Sequence, residues 1–117
     1  MGILDLFRGS RAKSADPDEA VLNQLRKAGS DLSKPHPVEF FLYFPSQDFA
    51  ERAKTHVQSA GFAAKVEHAA QGETWLCFAT KSAVPELATM QKIRKDLGAL
   101  ATSLSGVYDG WGTSVVK

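Results

Sequence analysis

The apolar residues of this chain switch repeatedly between a period of about 3.6 and a period of about 2, and the order of those switches limits the folds open to it. Asp16 can cap a helix, Pro17 suits its first position, and Glu19 stands at capping-box spacing. Val21, Leu22, Leu25 and Ala28 then recur on one helical face, and Gly29 stops the helix. A turn-rich stretch from Ser30 to Pro37 leads to a strand over Val38–Phe44. There Val38, Phe40, Leu42 and Phe44 alternate with Glu39, Phe41 and Tyr43. The wholly apolar set is expected to face the core.

Pro45-Ser46 opens a second helix with a stripe of Phe49, Ala53, Val57 and Ala60, closed by Gly61. A second strand carries Phe62, Ala64, Val66 and His68 on one side. A third, near Thr74–Thr80, is apolar on both faces, as a central strand is. Pro85 and Glu86 open the longest helix, striped by Leu87, Met90, Ile93, Leu97, Leu100 and Leu104, and Gly106 ends it. The last strand follows. A leading helix and then β-α-β-β-α-β is the split β-α-β order. It predicts a ferredoxin-like α+β sandwich with a four-stranded antiparallel sheet, central first and third strands, and two helices on one face. The leading helix is extra, and periodicity does not place it.

The chain has 117 residues, enough for one domain with a real core. Residues 1–15 read as a flexible N-terminal segment and 16–117 as a single domain. Ile3, Leu4 and Phe7 could share one side of an amphipathic turn, but a frayed terminus is the expectation. No apolar run has the length of a membrane span or a secretory leader. Cys77 is the only cysteine and lies in the apolar run Trp75-Leu76-Cys77-Phe78-Ala79, so it reads as a small buried hydrophobe. A reducing cytoplasm suits that usage.

Motifs for chemistry are sparse. His36, His56 and His68 are scattered and give no metal-ligand spacing. There is no nucleophile elbow, phosphate loop or dinucleotide fingerprint, so neither cofactor nor metal is expected. The carboxylates mostly stand where helix starts want them, Asp16, Asp18, Glu19, Asp48 and Glu86 serving as caps and dipole compensation. Asp109 stands out because it lies between two aromatics in a glycine-rich strand. A small enzyme centred on it ranks last among the readings. Phe41, Tyr43 and Trp75 could form an aromatic platform on the helix-free face, as RNA-recognition modules do. The 14 Lys and Arg balance 13 Asp and Glu, and the third strand lacks the basic and glycine pattern of such modules. RNA binding is therefore the alternative. A protein partner, a second copy of the chain or the leading helix is the expected cover for these aromatics.

The closing run Val107-Tyr108-Asp109-Gly110-Trp111-Gly112-Thr113 resembles the closing motif of the bacterial regulators of ribonuclease E activity, type B. The Gly29-Ser30-Asp31 turn after the first helix, the Val38-Glu39-Phe40 strand, the Ala60-Gly61-Phe62 helix exit and the long third helix fall in the family's order. The similarity covers about residues 17–114. It implies a non-catalytic cytosolic protein that binds a ribonuclease E-like partner and inhibits RNA processing. A homodimer is compatible with it. The near-neutral charge departs from the strongly acidic character of the family member with that activity. Tyr108, Asp109, Gly110, Trp111 and Gly112 are the motif residues expected to pack or to contact the partner. Tyr108 and Trp111, three apart, would face opposite ways in a regular strand, and a bulge at Gly110 would bring them together.

Overall fold

The computed structural model describes residues 7–8, 16–70 and 72–117. Its elements are β1 (Phe7–Arg8), α1 (Pro17–Lys27), β2 (His36–Phe44), α2 (Gln47–Ser59), β3 (Ala63–His68), β4 (Trp75–Ala83), α3 (Leu87–Ser103) and β5 (Val107–Thr113). The fold is α+β. The strands form one sheet in the order β1-β5-β2-β4-β3, and every pairing is antiparallel. The first and third of the four expected strands, β2 and β4, are the central ones.

Local chemistry sets the boundaries. The Asp16 carboxylate accepts from the N–H groups of Asp18 at 2.8 Å and Glu19 at 3.2 Å, which fixes the start of α1. At its end Gly29 takes φ +89°, and the Ser30 N–H donates to Leu25 O at 2.9 Å, a turn that glycine adopts without strain. Ser46 caps α2 through the Phe49 N–H at 3.3 Å.

The helix-facing side of the sheet carries the core. Val38, Phe40, Leu42 and Phe44 are all buried, as their alternation requires, together with Cys77, Ala79 and Trp111. Against them pack Val21, Leu22 and Leu25 of α1, Ala50, Ala53 and Val57 of α2, and Met90, Leu97 and Ala101 of α3.

Four expectations need correction. Strand β2 begins at His36, since His36 and Pro37 pair with Ala83 and Ser82 of β4. The α2 stripe includes Ala50, whereas Ala60, past the last helical residue, is exposed. A fifth strand joins the sheet, because Phe7 and Arg8 pair with Thr113 and Gly112 of β5; the rest of the proposed N-terminal turn lies outside the described residues. The leading helix α1 lies on the helix side, against α3, and therefore does not cover the aromatics of the opposite face.

Candidate partner-binding surface

Strand β5 is built around one irregularity. Phe40 faces Trp111 and Leu42 faces Tyr108, so two steps on β2 match three on β5. The extra residue falls at Gly110, whose φ of +102° suits glycine. Directly opposed residues share a face, so the bulge puts Tyr108 and Trp111 together on the helix side.

Trp111 is fully buried there, and its indole Nε1–H donates to Asp18 Oδ1 at 2.9 Å. The other oxygen, Asp18 Oδ2, accepts from Arg94 Nε at 2.7 Å. Asp16 joins the cluster, accepting from Gln91 Nε2 at 2.5 Å. That hydrogen bond holds the Asp16 carboxyl below its ordinary value, aided by the helix N–H groups and Arg94 against the opposing effect of burial. Among the described residues the Tyr108 hydroxyl has no hydrogen-bond partner. Burial raises its pKa, with the nearby Asp18 and Asp109 charges adding to the effect and Arg94 opposing it. The network ties the start of α1 to α3 and to the closing motif.

Sequence reasoning gave Asp18 only a dipole role and passed over Arg94. A signal was present for Arg94: it stands four residues after Met90 and three before Leu97, on the buried stripe of α3.

The Gly29-Ser30-Asp31 turn is a latch for the C-terminal residues. Ser30 Oγ lies 2.6 Å from His36 Nε2, and His36 Nδ1 lies 2.8 Å from Lys34 O. A carbonyl only accepts, so Nδ1 carries a proton, and in the neutral imidazole the Ser30 hydroxyl donates to Nε2. The Ser30 oxygen in turn accepts the Val116 N–H at 2.9 Å, and the Asp31 N–H donates to Val116 O at 2.6 Å. A serine beside a histidine can be an activated nucleophile. Here the hydroxyl is engaged from both sides in holding residues 114–117.

Among the described residues no helix packs on the opposite face of the sheet. Cross-strand pairing places Glu39, Phe41 and Tyr43 beside Thr80, Phe78 and Leu76, with Ala63, Lys65 and Glu67 beyond them. Phe41 meets Phe78 edge-on at 5.5 Å, and Lys65 Nζ sits 5.6 Å from the Phe78 ring centre. Phe41 is 8% exposed, Tyr43 and Phe78 are half-buried, and Val107, opposite Tyr43, is 63% exposed. Asp109 is half-buried at the bulge.

Trp75 is not part of this surface. It pairs with Phe44 and so shares the helix-facing side, where His68 meets it edge-on at 4.8 Å. The expected platform of Phe41, Tyr43 and Trp75 is thus split between two faces, and Leu76 and Phe78 take the place given to Trp75. The misreading was one of register: pairing with β2, invisible in β4 alone, decides which way each residue points.

Among the described residues no group of three or more His, Cys, Asp or Glu side chains is placed to hold a metal ion. No helix among them is long and apolar enough to cross a membrane. A groove of about 840 Å³ between α2 and α3 is floored by Val57, Phe62 and Leu97, and its rim pair Lys92–Asp96 is closed at 2.9 Å.

The buried motif, the latch and the bulged strand all fall within or beside residues 15–113, which match the family model for regulator of ribonuclease activity B. The chain belongs to that family. No curated protein matches the chain. Family membership makes it a regulator of ribonuclease activity, with a protein as the implied partner. The closing motif that carried the resemblance lies inside the matched span, and its aromatic pair is turned into the molecule.

Proposed function

We propose that this protein is a non-catalytic cytoplasmic regulator that binds a ribonuclease E-type endonuclease and inhibits its RNA processing. Membership of the ribonuclease regulator family is the observation that carries this reading. The frame is read as ferredoxin-like: without β1, the order β5-β2-β4-β3 has its first and third strands at the centre.

The contact surface in this reading is the helix-free face around Tyr43, Phe78 and Val107, extended towards Asp109. Aromatic and aliphatic side chains there offer a partner apolar area that, among the described residues, no helix covers. Phe41 supports the patch from beneath through Phe78. Tyr108, Gly110, Trp111 and Gly112 act indirectly, by fixing the strand that presents Val107 and Asp109.

The test is a binding titration of the full chain against a purified ribonuclease E-type endonuclease, paired with an RNA cleavage assay. Inhibition is expected, and Tyr43→Ala should weaken binding by about tenfold or more with an unchanged melting temperature. An endonuclease that neither binds the chain nor slows in its presence would overturn the proposal.

A further inference from the structure

The two edges of the sheet differ. One ends in β1, which caps β5. The other is β3, which among the described residues pairs with β4 alone and leaves its outer backbone groups without a neighbouring strand. Such an edge is a template for another strand.

Its side chains indicate which strand. Ala64, Val66 and His68 point to the helix side, and Lys65 and Glu67 to the open side. Lys65 rests near the Phe78 ring, and among the described residues neither Lys65 nor Glu67 has an ion-pair partner in its own chain.

Two copies of β3 can pair antiparallel about a twofold axis. Keeping the helices of both copies on one side of the joined sheet requires residues of like facing to oppose each other. Centring the axis on Lys65 sets Lys65 against itself, and centring it on Glu67 sets Glu67 against itself. Centred on Val66, each Lys65 faces the Glu67 of the other copy, Val66 faces Val66, and Ala64 faces His68. Opposite charges directly across a seam stabilise a strand pair, and like charges destabilise it.

We infer that β3 is a homodimerisation edge, pairing with β3 of a second copy in the register centred on Val66. The two sheets then merge into one continuous sheet, and the helix-free faces of both copies lie side by side. A seam of this length buries less than the roughly 1,200 Å² of stable complexes, so the dissociation constant falls in about the micromolar range. The inference does not depend on which protein the chain regulates.

Sedimentation equilibrium of the full chain across concentrations tests it. A concentration-dependent dimer is expected. Lys65→Glu and Glu67→Lys should each raise the dissociation constant by about tenfold, because the twofold axis counts every like-charge contact twice. Mixed together, the two variants should form a heterodimer of near wild-type affinity, since each position then meets its opposite charge. Circular dichroism melts confirm that both variants fold. A chain that is monomeric at all concentrations overturns the inference, and would make Lys65 and Glu67 guards against edge pairing. A dimer indifferent to both substitutions, or variants that do not recover affinity on mixing, overturns it equally.

Discussion

Asp18 is the residue on which the interior most depends. It is 2% exposed, yet it is a carboxylate, and its two oxygens serve a buried indole and a guanidinium. Asp18→Ala leaves the Trp111 N–H buried without an acceptor and removes the partner of Arg94. Arg94 is 41% exposed, so water screens part of that loss. A cost of about 2 kcal/mol is expected. Trp111→Ala removes the largest core side chain and should cost about 3–5 kcal/mol. Urea unfolding measures both, and an Asp18→Ala midpoint equal to wild type would show the network to be incidental. Two other residues set the pH limits. Burial pushes the Cys77 thiol from 9.0 up to about 11, so the folded state holds that proton more tightly than the unfolded chain does. Stability should therefore decline as pH rises from 9.0 towards about 11, and Cys77 should resist alkylation until the protein unfolds. Asp16 acts in the opposite direction: its depressed carboxyl favours the folded state above 3.8, and that contribution fades as pH falls further.

Within elements, two glycines of α3 and its exit make a paired test. Gly98 sits inside the helix with open space where a Cβ would go. Gly98→Ala should raise stability by about 1 kcal/mol, the propensity difference between the two residues. Gly106 stands where the chain leaves α3 for β5, and a Cβ there would collide with the Phe44 ring and the Tyr43 carbonyl. Gly106→Ala must push β5 away from β2 and should lower the melting temperature by several degrees, on the order of 4–8 °C per kcal/mol for a domain this small. Equal effects of the same sign would contradict this account of the turn. The order and faces of these elements were legible because periodicity is local: Val38, Phe40, Leu42 and Phe44 announce their face without reference to any other segment. The Gly110 bulge was legible too, since only a break in alternation brings Tyr108 and Trp111 together. Other features were not, for a common reason. Whether Trp75 or Phe78 joins Phe41 depends on pairing with β2, and the value of Asp18 depends on Trp111, distant in sequence and adjacent only after folding.

At the scale of the whole molecule, the question is which polymer the open sheet face meets. The total charge is +1, too little to draw the chain to phosphate by itself. Charge placement on the face adds to this. Glu39 of β2 and Glu67 of β3 flank the aromatic patch, and Lys65 stands on β3 beside Phe78. Lys81, the next lysine along β4, points to the helix side, where it lies 4.8 Å from the Phe62 ring centre. Base stacking needs an accessible ring face, and Phe41, at the middle of the patch, is 8% exposed and covered at its edge by Phe78. A protein with complementary basic and apolar side chains meets neither obstacle. Single-stranded RNA should therefore bind no more tightly than the non-specific range of roughly 10⁻⁴ to 10⁻⁶ M at physiological salt, and without preference for sequence. Fluorescence titration with labelled oligonucleotides at several salt concentrations reads this directly. Sub-micromolar, sequence-dependent affinity that falls on Tyr43→Ala would mean that the face stacks bases, and the protein-partner reading would give way to an RNA module. Weak binding that is unchanged by Tyr43→Ala, beside endonuclease binding that is lost with it, assigns the face to protein.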